Sequence, residues 1–349
     1  MRVMLLDPAA FTTPYDHHLA KALAAAGAEV ELVASRFRFG QGYSPAGYRR
    51  TELFYPVSSR VFGRSPARLP LRAIEHLVGL VRLRRRMPDV LHAQWLPWPR
   101  VDERLLGLDR PSVLTAHDIL PRRSRRRSVL WQRTCARFDR IVVHSRRGKQ
   151  RLEEELAVHA EKIRVIPHPV FPGPLSRSDD GATVLFLGVI RPYKQIDHAI
   201  GAARGIGARL LVVGDPAVDL GDRVEASGTE WRLGYRPHSE VDDALAESTV
   251  AVFPYRDELD QSGALLRALG AGVPAVAYDV GGVAEPICQF GAGAVVPPDD
   301  QNALQEALAR LLGDAEALGR ARAGAERARR ELTWDVSARS HLAVYRELL

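Results

Sequence analysis

Two consecutive doubly wound α/β domains are the fold class predicted for this chain, each with a parallel sheet and helices on both faces. Three observations predict it. Short apolar runs recur along the sequence with helical patterns between them, a β-α-β alternation rather than a series of hairpins. The alternation is broken once, at Val170–Gly181 (VFPGPLSRSDDG), by Pro, Gly, Ser and Asp without periodicity. The length, 349 residues, exceeds what one core usually holds and suits two domains of roughly 170 residues each.

The first domain is expected over residues 1–170. Arg2–Leu6 and Glu29–Ala34 read as strands flanking a helix that carries Leu19 and Leu23 and stops at Gly27. The loop Asp7–His18 has no G-x-G-x-x-G, which counts against a dinucleotide cofactor. Ser35–Ser65, aromatic and Arg-rich, reads as an irregular excursion. Leu69–Arg86 is a predicted helix, followed by strands at Val90–Ala93 and Val113–Ala116. A basic helix at Ser128–Phe138, a strand at Ile141–His144, a helix at Arg146–Ala157 and a strand at Ile163–Ile166 complete it.

Residues 171–181 are expected to be the linker and 182–332 the second domain. Its strands are predicted at Val184–Leu187, Leu210–Val213, Trp231–Leu233, Val250–Phe253, Ala275–Tyr278 and Ala294–Val296. Helical patterns occupy Asn302–Leu312 and Ala315–Leu332. The last segment, 333–349, is a helix expected to pack back on the first domain. Such domains hold ligands at the carboxyl ends of their strands, here in a cleft expected between the two.

Hydrophobic residues make up 46% and charged ones 26%, ordinary for a soluble globular protein. Two cysteines, Cys135 and Cys288, give neither a metal spacing nor a disulfide framework and suit a reducing cytoplasm. No apolar run approaches the ~18 residues that cross a bilayer. The opening MRVMLLDPAAF is too short in its apolar part for a signal peptide and reads as a first strand.

The net charge is +7, almost all from arginine, with lysine only at 21, 149, 162 and 194. Two clusters, Arg82–Arg86 and Arg122–Arg127, stand out. They suit peripheral contact with an anionic membrane, at the inner face, or a phosphate-bearing acceptor; a solvated helix face explains them equally well. No aromatic stacking platform accompanies them, so nucleic acid is not an expected partner.

The chemistry is expected around Ser248–Pro286. Strand Val250–Phe253 is followed by an acidic loop holding Asp257, Glu258 and Asp260, and Ser262-Gly263 opens a helix with Leu265, Leu266 and Leu269 on one face. The free amides of Ser262, Gly263 and Ala264 at that helix start form a site for an anion, phosphate foremost. The acidic loop lacks a third ligand for a metal, so no metal site is assigned. In FLGVIRPYK a strand ends at Gly188, and Arg191 and Lys194 follow in a turn opening a helix. Both cations can reach one space, Arg as a bidentate fork and Lys as a mobile point charge, which suits a diphosphate.

In the first domain His117 and Asp118 follow a buried strand, a place where an imidazole and its neighbouring carboxylate can bind a hydroxyl or assist a proton transfer. Tyr15, Asp16 and His17 are candidates for the acceptor side, with helix capping as the plainer explanation of the acid. Trp95 and Trp98, in QWLPWP, read as packing the domain edge, with stacking on a sugar as the alternative. Tyr235 and Arg236, in GYRP after a short strand, read equally well as an ordinary loop or as side chains that stack on a ligand.

FLGVIRPYK together with SGALLRALGAGVPAVAYDVGGVAE resembles the carboxyl-terminal half of the retaining glycosyltransferases of family 4, which have the GT-B fold. VLTAHDILPR, RIVVHS and RVIPHPV are similar to that family's first-domain strands, so the resemblance covers nearly the whole chain. It implies a nucleoside-diphosphate sugar as donor substrate in the second domain and a saccharide or lipid-linked acceptor in the first. It implies no further cofactor and no obligatory metal. Arg191 and Lys194 would bind the diphosphate, Glu285 would lie near the ribose or sugar, and Tyr235 or Arg236 would face the nucleotide base. Asp260 is assigned to the sugar hydroxyls. Of the two glutamates common in the family, the second position is Arg267 here and the first is Leu259. An epimerase or phosphorylase on the same architecture, and a non-catalytic anion- or nucleic-acid-binding protein, are the alternatives.

Overall fold

A computed structural model describes residues 1–37, 42–61, 68–119, 125–174, 176–226, 229–256 and 261–349. It divides into two compact units, Met1–Pro167 with Trp334–Leu349, and His168–Thr333.

The first unit is built on seven strands: β1 (Arg2–Asp7), β2 (Glu29–Ser35), β3 (Arg49–Phe54), β4 (Val90–Ala93), β5 (Ser112–Thr115), β6 (Arg140–Val143) and β7 (Ile163–Val165). They pair in parallel in the order β3-β2-β1-β4-β5-β6-β7. Its helices are α1 (Thr13–Ala25), α2 (Ser58–Val61), α3 (Arg68–Arg84), α4 (Pro99–Leu105), α5 (Arg125–Arg137) and α6 (Arg146–Leu156). β4 and β5 are buried at every residue, which is why they read as unbroken apolar runs: helices cover both faces of a parallel sheet.

β3 and α2 lie inside the stretch expected to be irregular. β3 is an edge strand, RRTELF, whose polar side chains are held by β2: Thr51 donates to Glu31 at 2.6 Å and Arg49 at 2.8 Å. An edge strand keeps its charges, so it offers no apolar run by which to be recognised. α4 was likewise not foreseen; it is a single short helix started by Pro99.

The second unit has β8 (Thr183–Leu187), β9 (Arg209–Gly214), β10 (Glu230–Leu233), β11 (Val250–Phe253), β12 (Ala275–Tyr278) and β13 (Gly293–Val296). All pair in parallel, in the order β10-β9-β8-β11-β12-β13. Its helices are α7 (Ile196–Gly205), α8 (Arg223–Ala226), α9 (His238–Glu247), α10 (Gly263–Gly270), α11 (Ala284–Phe290), α12 (Gln301–Gly313) and α13 (Ala315–Glu331). The winding reverses between β8 and β11, as it does between β1 and β4 in the first unit. In each sheet the loops leaving those two strands therefore part and open a crevice at their carboxyl ends.

The crossing between units falls at Pro167/His168, and the described residues of the expected linker 171–181 belong to the second unit. A Cβ on Gly173 would stand 2.8 Å from Ala271, so the absent side chain lets this segment lie on the end of α10. Asp179 pairs with Arg322 at 2.6 Å and accepts from Thr249 at 3.1 Å. The glycines and acids that suggest a flexible tether are used here for close packing and ion pairing.

The chain ends in α14 (Trp334–Arg346), part of the first unit. Its Ala338, Leu342 and Tyr345 are buried in one cluster with Leu19 and Leu23 of α1. Tyr345 hydrogen-bonds His92 of β4 at 2.6 Å, and Glu347 just beyond the helix accepts from Arg164 at 2.6 Å.

Candidate functional site

In the second unit β8 ends at Leu187, and Gly188 turns the chain with φ +99°, its N–H donating to Val213 at 2.8 Å. After Arg191 the backbone makes a single 3-10 turn, Pro192–Lys194, with Lys194 N–H donating to the Arg191 carbonyl at 3.0 Å. Gln195, at φ +47°, ends that turn and starts α7. The result brings the Lys194 side chain back over the strand end. A Cβ built on Gly188 would lie 3.0 Å from Lys194 Nζ and 3.4 Å from Ala264 Cβ. One small space at the switch point is thus flanked by the ammonium and by the first turn of α10.

α10 reaches that space because Ser262 caps it, accepting from Leu265 N–H at 3.2 Å, while Leu265, Leu266 and Leu269 are buried beneath. Each of those leucines stabilises the placement by roughly 1.5–3 kcal/mol. The amides of Gly263 and Ala264 precede the first intrahelical bond and stand at the positive end of the helix. Lys194 is only 7% exposed, and burial, with the Arg191 charge nearby, pulls its pKa down to about 7. Among the described residues no carboxylate pairs with it; its Nζ lies 5.1 Å from the centre of the Tyr255 ring. Arg191 is exposed, and its guanidinium makes no hydrogen bond or ion pair with a described residue. A buried cation without a carboxylate, a second mobile cation and a helix terminus form an anion site.

The neighbouring loops lie at the same end of the sheet. Gln261 donates to the Gly282 carbonyl at 3.3 Å, tying the start of α10 to the glycine turn after β12, and half-buried Glu285 sits in the first turn of α11. Asp260, with Asp257 and Glu258, lies outside the described residues. Tyr235 is half exposed, whereas Arg236 is paired with Glu240 at 3.3 Å within its own turn. Tyr255, buried and 3.5 Å from the Ser262 hydroxyl, was not singled out from sequence; its place two residues past β11 is the signal that marks it.

Arg267 points sideways from α10 to α9, pairing with Asp242 at 3.0 Å and donating to the His238 carbonyl at 3.3 Å. It fastens the two helices together. Arg267→Glu sets two carboxylates against each other there and is expected to lower unfolding free energy by about 1–2 kcal/mol. Arg267→Ala should cost no more than about 1 kcal/mol, since the pair is partly solvated. Equal urea midpoints for both variants would show that the contact is not structural.

In the first unit the carboxyl ends of β1, β4, β5 and β6 hold a cluster of aromatic and polar side chains. His117 Nε2 donates to Gln94 Oε1 at 3.0 Å and its ring stacks on Trp95, centroids 5.4 Å apart at 15°. The edge of Tyr15 meets His117 at 4.9 Å, and His144 closes the group 5.3 Å from His117. Trp95, read from sequence as packing, therefore lies against His117, and its indole N–H donates to the Thr12 hydroxyl at 3.0 Å. Asp118 is half-buried beside His117.

Asp16 and Asp7 form a buried carboxyl pair. Thr12 N–H donates to Asp7 at 3.0 Å, and the Thr12 hydroxyl reaches Asp16 at 3.4 Å. Burial, and then the Asp7 charge, hold Asp16 well above the usual carboxylate range, and burial raises Asp7 as well. His17 is taken up internally: Nδ1 lies 2.8 Å from the Tyr48 hydroxyl, Tyr43 stacks on the ring, and burial pulls it down to about 4. Asp7, Gln94 and His144 were not anticipated, although each sits at or just past a strand's carboxyl end, where the fold class directs attention.

A cavity of about 480 Å³ lies at the opposite, amino ends of β1 and β2. The arginines lining it, Arg2, Arg49 and Arg86, are tied to Asp89 and Glu31, so their charge is already matched.

Residues 15–172 match the family model of Glycosyltransferase Family 4, and residues 181–314 that of Glycosyl transferases group 1. The chain is 36% identical over 195 residues to an exopolysaccharide phosphotransferase of Streptomyces coelicolor, covering 51% of this chain but only 20% of that protein. It is 24% identical to a D-inositol 3-phosphate glycosyltransferase of Jonesia denitrificans, over 95% of this chain and 89% of the relative. Among solved structures, sucrose-phosphate synthase from Thermosynechococcus elongatus superposes with a TM-score of 0.79 at 21% identity, covering 100% of this chain and 99% of the other. At that identity the likeness is one of fold.

Proposed function

This chain belongs to the glycosyltransferases of family 4 and group 1, and from that premise we propose that it moves a sugar, with retention, from a nucleoside-diphosphate sugar to an acceptor hydroxyl. The product would be a cell-surface glycan, polysaccharide or glycolipid. The observation that carries the proposal is the space above Gly188, within 3.0 Å of Lys194 Nζ and 3.4 Å of the first turn of α10.

In this transfer the bond between the anomeric carbon and the phosphate oxygen breaks, and a bond from the acceptor oxygen to the same carbon forms on the same face. The acceptor proton leaves with the diphosphate. Such a step is helped most by charge placed where the leaving oxygen becomes negative. Lys194, Arg191 and the amides of Gly263 and Ala264 supply it, which is why the scheme calls for no metal. The helix terminus contributes about 0.3–2 kcal/mol, so the two cations dominate. Ser262, Gly188 and Glu285 shape the donor site, with Tyr235 toward the nucleoside. On the acceptor side His117 and Asp118 would hold the reacting hydroxyl, with Tyr15 and the Asp7–Asp16 pair beneath them. We place the protein in the cytoplasm.

The test is a thermal-shift screen of the full chain against UDP-, GDP-, ADP- and dTDP-sugars. A true donor at a hundred times its Kd stabilises by about 2.7 kcal/mol. If none raises the midpoint at millimolar concentration, while an unrelated polyanion does, sugar transfer is the wrong activity.

A further inference from the structure

α3 is apolar on two sides, and the fold uses only one of them. Toward the sheet it buries His76, Gly79, Leu80 and Leu83; a Cβ on Gly79 would meet the Phe54 ring at 2.6 Å. Ile74, Leu77, Val78 and Val81, spaced i, i+3, i+4 and i+7, form a stripe on the opposite side and are 60, 41, 42 and 52% exposed. A surface helix ordinarily turns charged and polar residues outward there. Met87, just past the helix, is 65% exposed and extends the apolar surface.

The exposed charges within residues 68–88 are all of one sign. Arg82, Arg84 and Arg85 are exposed near the carboxyl end of α3, and none makes a side-chain hydrogen bond or ion pair with a described residue. Arg86 is taken by Glu31. The one acid in residues 68–88, Glu75, is buried and accepts from the amides of Val57 and Ser58. The second basic stretch, Arg122–Arg127, falls outside the described side chains.

We propose that the outward face of α3 lies in the plane of an anionic lipid bilayer. Ile74, Leu77, Val78 and Val81 enter the boundary between headgroups and acyl chains, and Arg82, Arg84 and Arg85 meet lipid phosphates. Phosphate headgroups complement a helix whose exposed charges are all cationic; a second copy of the same helix brings no counter-charge. The proposal differs from adsorption through arginines alone, because the apolar stripe demands burial that salt does not screen. It stands whether or not the protein transfers sugars.

Sedimentation of the full chain with vesicles of phosphatidylcholine, alone or mixed with phosphatidylglycerol, tests it. The wild type is expected to sediment with the anionic vesicles and far less with the neutral ones. Replacing Arg82, Arg84 and Arg85 by Ser should weaken binding by about fivefold per arginine. Leu77→Ser with Val81→Ser should weaken it at least as much, and should remove the part that survives high salt. Unchanged far-UV circular dichroism shows that these surface variants fold. No sedimentation of the wild type, or equal binding by the Leu77/Val81 variant, overturns the proposal. Concentration-dependent self-association of the wild type that the same variant abolishes, without vesicle binding, assigns the face to a second copy and also overturns it.

Discussion

Lys194→Met is expected to abolish most of the turnover and, at the same time, to make the second unit more stable. Lys194 is nearly excluded from solvent, and among the described residues no carboxylate balances it. A buried cation weakens the free fold unless an anion accompanies it, so a methionine of similar length should stabilise by about 1–4 kcal/mol. The thermal midpoint should rise by roughly 2–4 °C for each kcal/mol. Turnover should fall about 10²–10³-fold, the usual loss when one group facing a developing negative charge is removed. Arg191→Ala should give a loss of similar size without the gain in stability, because its side chain is already in water. Opposite signs for stability and activity at one position are hard to obtain from mere misfolding. Wild-type turnover in both variants would remove the two cations from the reaction.

The second large effect is in the pH dependence of donor affinity. Burial and the Arg191 charge lower Lys194 from its ordinary 10.5 to about 7 in the free protein. A bound diphosphate favours the charged amine and raises that value again. Below pH 7 the amine is protonated before and after binding, and affinity is level. Above pH 7 binding must take up a proton, and affinity falls about tenfold per pH unit until the value in the complex is reached. Calorimetry with a nucleoside-diphosphate sugar at pH 8, in buffers of different ionisation enthalpy, should register uptake of about 0.9 proton. The sugar nucleotide is the right probe because its diester phosphates do not titrate in this range. Affinity constant from pH 6.5 to 9 would place the diphosphate elsewhere.

Stability carries the same linkage with its own sign. The unfolded chain keeps the Lys194 proton up to about 10.5, whereas the folded protein releases it near 7. Between those values the unfolded state binds more protons, so stability due to this group rises with pH. The advantage of Lys194→Met should therefore be greatest below pH 7 and shrink toward pH 10.

Much of this molecule was legible without coordinates, for a reason rooted in burial. A strand covered on both faces must be apolar throughout, and Val250–Phe253 and Ala275–Tyr278 were recognised at the boundaries they have in the structure. The positions of Gly188, Arg191, Lys194 and Ser262 at a strand end, a turn and a helix cap were legible because these are local devices with local sequence requirements. β3 escaped because an edge strand is allowed to stay charged, and 171–181 was misjudged because glycine permits close packing as readily as it permits motion.

Local pattern alone, then, determined that this chain makes two parallel-sheet domains and which residues end their strands. Tertiary structure decided which of those ends meet: that Lys194 is shut in beside the first turn of α10, that Trp95 lies on His117, and that Arg267 serves α9. It also decided which side of α3 faces water. Apolar spacing records that a side will be covered, but not by what; strand order and helix rotation are set by the packing of the whole sheet, a property no short stretch of sequence contains.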